Sequence, residues 1–242
     1  ILCSIILCLV SAISNKMKAK DIWKKVLIVG LVAFAVAGWW FIRNAILYNG
    51  DFLGINAQNE CGDKYALDQF KPSIRLTVQK RGENLLDMLF GERWLLTTAL
   101  SFVGIFGYQS IVMSPKIYFV YFGIWIIGGI GCILSFKKLF KFNKNEKNRY
   151  LLNYIFVLSI IIPIALSIIY SYTSDFQAQG RYIMGIIIPF TYFVVNGIQT
   201  ILDKIIKSKK IRNIIIILII TLIIAISFRA LFAYVIPAYK VK

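Results

Sequence analysis

Long runs of Ile, Leu, Val and Phe, parted by short clusters of lysine, govern what this chain can become. A helix needs roughly 20 apolar residues to cross the hydrocarbon of a bilayer. Six runs read as such crossings: residues 1–14, 26–42, 117–136, 151–172, 182–202 and 214–235. Composition agrees, because 59% of the 242 residues are hydrophobic and only 16% are charged. That leaves too little polar surface to cover a soluble globule of this size, so the solvent is lipid. The first run has no basic residues before it and no small-residue cleavage site, which argues against a signal peptide. It reads as an opening inside a membrane helix, and predicts that the sequence is the C-terminal portion of a longer protein.

The net charge of +17 would suggest nucleic acid in a soluble protein, but the positions of the charges give another account. Three blocks, Lys16 to Lys25, Lys137 to Arg149 and Lys204 to Arg212, hold 16 of the 28 basic residues, with only the acids Asp21 and Glu146 inside them and Asp203 just before the third. Such blocks mark cytoplasmic loops and attract anionic lipid headgroups, so no nucleic-acid partner is needed. Residues 43–93 carry seven charges of each sign, as suits an external segment. A seventh apolar run, 95–113, is interrupted by Thr97, Thr98, Ser101, Gly104, Gly107, Gln109 and Ser110. A crossing there would put a basic loop on the wrong side, so the run is expected to be re-entrant or interfacial and buried against protein. Trp39, Trp40, Trp94, Tyr170, Tyr172, Tyr182, Tyr234 and Tyr239 then gather at the outer interface, the depth that amphipathic rings prefer.

These readings predict an all-α fold: a single transmembrane domain of about six spans, residues 1–242. An external region, 43–116, contains the re-entrant or interfacial segment, and 173–181 form a second external loop. Within the first, residues 83–90 are expected to form a short helix on the membrane, and 49–71, rich in Gly, Asn and Asp, to be loop. Cys3, Cys8 and Cys132 sit in apolar runs and Cys61 alone in a loop, which implies no disulfide framework or metal cluster. With no histidine in the chain, His-based zinc and Ser-His chemistry within it are excluded.

Two polar clusters stand out. Arg43 and Asn44 end the second run and are followed by Tyr48-Asn49-Gly50-Asp51, bringing a cation, an amide and a carboxylate together at headgroup level. Arg43 could fork two oxygens of a phosphate there; the competing readings are an arginine snorkelling to the interface and a plain Asn-Gly-Asp turn. The second cluster, Asp175-Phe176-Gln177-Ala178-Gln179-Gly180-Arg181-Tyr182, concentrates polar groups in a short loop. Gly180 would permit close approach or unusual backbone, and Arg181 would meet an anion. The glycines of Ser101 to Tyr108 favour tight packing, and Arg229 reads as a snorkelling cation.

The order Trp39-Trp40-Phe41-Ile42-Arg43-Asn44, then Tyr48-Asn49-Gly50-Asp51, then Ser101-Phe102-Val103-Gly104-Ile105-Phe106-Gly107-Tyr108, then Gln179-Gly180-Arg181-Tyr182 resembles the C-terminal half of bacterial membrane proteins of domain-of-unknown-function family 2142. That group is similar to the GT-C superfamily, whose members transfer sugars from polyprenyl-phosphate carriers at the outer face of the cytoplasmic membrane. The sequence departs from the family pattern in an Asn inserted before Gly50 and in Phe52, Tyr108 and Gly185. The resemblance implies a glycosyltransferase of the bacterial cell envelope. Its catalytic carboxylate would precede this segment, and a divalent metal or basic residues would stabilise the departing lipid phosphate. It further implies that Arg43, Asn44, Asp51, Asp175, Gln179, Arg181 and Tyr182 hold a lipid-linked sugar, with Arg43 and Arg181 converging on its phosphate. A transporter or flippase for lipid-linked glycans would instead need paired polar residues at mid-membrane, where only Asn153 and Asn196 stand out. A non-catalytic scaffold is the third reading.

Overall fold

The computed structural model describes residues 18–141 and 147–240; the run at 1–14 lies outside the described residues. The protein is an all-α polytopic bundle, and five of its described helical segments are long and apolar enough to span a membrane: Lys20–Leu47, Pro115–Phe140, Arg149–Thr173, Gly180–Ile205 and Lys209–Tyr239. The chain divides into two compact units, residues 1–82 and 83–242.

In the first unit, α1 (Ala19–Leu47) is followed by α2 (Ile55–Tyr65). Almost all of α1 is exposed, with Leu31, Phe34 and Val36 on its surface, as befits a helix solvated by hydrocarbon chains. The stretch expected to be loop therefore contains an α-helix. Its sequence, INAQNECGDKY, lacks the apolar periodicity that flags a helix. What starts it is the preceding turn, where Asn49, Gly50 and Gly54 have positive φ and the Asp51 carboxylate accepts from the backbone N–H groups of Ile55, Asn56 and Ala57 at 3.3, 2.8 and 3.1 Å. Three donors that every helix N-terminus leaves open are thereby satisfied.

The second unit begins with a short π turn, Asp87–Gly91, in place of a regular surface helix. Leu85, Leu86 and Phe90 are exposed while Met88 is fully buried. Next come α3 (Trp94–Gly104) and a hairpin of two-residue strands, β1 (Ile105–Phe106) against β2 (Ile111–Val112). At 11 residues, α3 rises about 16 Å, roughly half the thickness of the hydrocarbon. The spans α4 (Pro115–Phe140), α5 (Lys147–Thr173), α6 (Ile187–Ile205) and α7 (Lys209–Ala230) follow. A 3-10 turn, Gly180–Ile186, leads into α6, and a π turn, Leu231–Val235, links α7 to the short α8 (Ile236–Tyr239).

The tightest contact in this unit is the crossing of α4 and α6. Small residues let two backbones meet there: a β-carbon on Gly131 would fall inside the Gly197 carbonyl, and one on Gly197 inside the Gly128 carbonyl. In lipid, helices gain little from hiding apolar surface from each other, so such close packing and a few polar contacts carry association. Fully buried Asn153 supplies one of these. Its amide donates to the Leu139 carbonyl in the last turn of α4 at 2.6 Å and accepts from the Tyr192 hydroxyl of α6 at 2.8 Å. The side chain of Asn196 donates to the Tyr192 carbonyl within its own helix at 2.7 Å.

Candidate functional site

The loop between α5 and α6 is built on a buried serine. Ser171 accepts from the Trp94 indole at 2.9 Å and from the Gln177 backbone N–H at 3.3 Å, and donates to the Gln177 carbonyl at 3.4 Å. The last turn of α5, the first residue of α3 and the loop are thus pinned at one point. Trp94, expected in the lipid-facing aromatic belt, is only 1% exposed. Its N–H has a protein partner, which a ring at the bilayer surface would find in water. A second tether comes from the hairpin, where Gln109 Nε2 donates to the Ala178 carbonyl at 3.1 Å.

Gly180 then passes directly over α3. A β-carbon on it would fall inside the backbone at Phe102, with the Ser101 carbonyl carbon 2.7 Å away. The freedom that this glycine supplies is close approach. Phe102 in turn joins a cluster with Trp125 (ring centroids 5.9 Å apart) and Phe190 (6.0 Å). These rings wall a cavity of about 480 Å³ between α4, α6 and α7, lined also by Tyr121, Val194 and Ile220. Nearly every side chain on its wall is apolar, so hydrocarbon fills such a space better than water does. A polar loop thus lies against a helix whose end, Phe102, lines a hydrocarbon-like chamber.

Of the residues predicted from sequence, Asp175, Gln179, Arg181 and Tyr182 come together in this loop. Gln177, quoted in the run but given no role, links them: its Nε2 donates to Asp175 Oδ2 at 2.6 Å and its Oε1 accepts from Gln179 Nε2 at 3.2 Å. Arg181 turns to its neighbour, donating to the Tyr182 hydroxyl at 3.0 Å with its guanidinium carbon 4.9 Å from that ring's centroid. The Tyr172 hydroxyl donates to the Glu83 carbonyl at 3.0 Å.

Arg43, Asn44 and Asp51 belong to the first unit. There the buried Asn44 donates to the Phe52 carbonyl at 3.4 Å and accepts from Arg43 Nη1 at 3.3 Å, so it closes the turn that Asp51 continues as the cap of α2. Both side chains work for the fold, while Arg43 stays exposed. Trp94, Ser171 and Gln109 are the contributors that sequence reading missed. Each is a lone polar or aromatic residue whose partner lies 69 to 77 positions away, a pairing without local pattern. The divalent metal implied by the family resemblance finds no group of three Cys, Asp or Glu side chains among the described residues. No family model, no curated protein and no solved structure matches the chain.

Proposed function

We propose that this chain is the carrier-binding part of a GT-C-like membrane glycosyltransferase, which uses a polyprenyl-phosphate-linked sugar to build or modify a bacterial envelope glycan. In this reading the protein lies in the cytoplasmic membrane with its basic loops inside and residues 43–116 and 173–181 outside. One observation carries it: the polar loop 174–182 rests, through Gly180, on Phe102, a wall of the apolar cavity. An amphiphile with a charged, hydroxyl-rich head and a hydrocarbon chain matches that pairing, and Arg181 offers the planar fork suited to its phosphate. Permeation is less well supported. A transport path needs mid-membrane polar groups that face a passage, and Asn153 and Asn196 are both spent on contacts between and within helices.

The test compares farnesyl phosphate with farnesol on the full chain in nanodiscs, read by the change in tryptophan fluorescence that is lost in a Trp125→Phe variant. The phosphate form is expected to bind about tenfold more tightly, an advantage that Arg181→Ala abolishes and Arg181→Lys restores poorly. Equal binding of the two, or an advantage untouched by Arg181→Ala, would remove the support for this reading.

A further inference from the structure

The loop divides chemically into two parts. On one side Arg181 lies against Tyr182. On the other, Asp175, Gln177 and Gln179, all partly exposed, form a ladder of side-chain hydrogen bonds. A primary amide has two N–H donors and two acceptor positions on its oxygen. The bonds within the ladder use one donor of each glutamine and one acceptor position of Gln177, so donors and acceptors alternate along its open edge. A phosphate brings only acceptors, so it can meet the donors of the ladder but not its acceptors. A hydroxyl donates and accepts at once, so a polyol answers the ladder where an anion does not.

The hairpin is tied to the same loop through Gln109. Its base is held where the Tyr118 hydroxyl donates to the Gly104 carbonyl and accepts from the Met113 N–H and the Tyr234 hydroxyl accepts from the Ser114 N–H, while at its turn Gln109 donates to the Ala178 carbonyl between the two glutamines. Gly107 and Gln109, either side of Tyr108, both hold positive φ, so the turn that displays this ring is tightly specified. Tyr108 itself is fully exposed. The electron-rich face of an aromatic ring attracts partly positive C–H groups, and a pyranose carries C–H groups on its face and hydroxyls around its rim.

We infer that Gln177, Gln179 and Asp175, together with Tyr108, form a subsite for a neutral glycosyl group, separate from the phosphate contact at Arg181. The subsite deepens the reading above and rests on it. It is tested by saturation-transfer NMR on the full chain in nanodiscs, with methyl glycosides of glucose, galactose, mannose and N-acetylglucosamine as probes. At least one glycoside is expected to bind, with the strongest saturation on the C–H groups of one ring face. Gln177→Ala, Gln179→Ala and Tyr108→Ala each weaken it about tenfold, the effect of roughly one hydrogen bond or one stacked ring. Gln179→Glu, which keeps the shape and removes the donor, decides the matter for any alanine variant that melts early. Failure of every glycoside to bind, or binding unchanged in the glutamine variants, overturns the subsite. Glycoside binding without any phosphate preference in the farnesyl experiment upholds the subsite and removes the carrier reading alone.

Discussion

A carboxylate after a glycine in a polar turn invites a ligand, yet at Asp51 the backbone itself is the ligand. Its two oxygens accept three N–H groups at the start of α2, a favourable place for negative charge. Asp51→Ala is expected to cost α2 about 1 kcal/mol, seen as roughly fivefold faster hydrogen exchange at the first amides of α2. Unchanged exchange there would free Asp51 for another role. Asp63, near the other end of α2, accepts from the Ser73 N–H at 2.9 Å. That bond, then the Ser73 hydroxyl and Lys71, hold its carboxyl below the ordinary value of 3.8. A depressed carboxylate pKa stabilises the folded form above the unfolded value, and the contribution disappears as pH falls through the folded one. The contact between α2 and residue 73 is therefore expected to be constant at neutral pH and to loosen only in strong acid, and Asp63→Asn removes that pH dependence. Exchange of the Ser73 amide followed against pH checks this, and a transition near neutrality would contradict it.

Among the helices, glycine positions separate what is packed from what faces lipid. Gly131 and Gly197 meet backbone across the α4–α6 crossing, whereas Gly123 and Gly129 on the same α4 have nothing within 4 Å of an added β-carbon. Gly131→Ala and Gly197→Ala are expected to destabilise the chain by about 1–3 kcal/mol, the usual cost of overpacking. Gly123→Ala and Gly129→Ala leave it unchanged or slightly better, since alanine is the stronger helix former. Gly180→Ala and Gly185→Ala make the same comparison at the polar loop, because Gly185 also has open space around it. Thermal unfolding in detergent reads both sets, and equal effects within a set would show that the crossing or the loop tolerates displacement. Local sequence revealed the spans, because a run of Ile and Leu is its own evidence. It did not reveal which glycine meets which backbone, since Gly123, Gly128, Gly129 and Gly131 differ only in the helix face they occupy.

For the whole molecule, the sequence was most informative where hydrophobic runs and charge decide the outcome, and least where a single residue does. The run at 95–113 looks like a span in composition. Its helix nevertheless stops at Gly104, whose φ is +156°, and the chain turns through a hairpin held by hydroxyls from Tyr118 on α4 and Tyr234 beyond α7. No pattern within the run names those partners. The arrangement has a consequence for sidedness. At 11 residues α3 is too short to cross, so α4 is expected to start on the side from which α3 enters. The Lys137–Lys138 end of α4, the start of α5 at Arg149 and the α6–α7 turn with Lys204, Lys207, Lys209 and Lys210 are then expected to share one compartment, which the charge rule makes the cytoplasm. Reporter domains fused after Lys71 and after Ser114 are expected to report the same external compartment. Cys61, exposed in the structure, is expected to react with a membrane-impermeant maleimide in intact cells once Cys3, Cys8 and Cys132 are replaced. Opposite compartments for the two fusions would make the 95–113 run a crossing despite its 11-residue helix. Labelling of Cys61 only after permeabilisation would place it in the cytoplasm and the Lys18 to Lys25 cluster outside, against the charge rule.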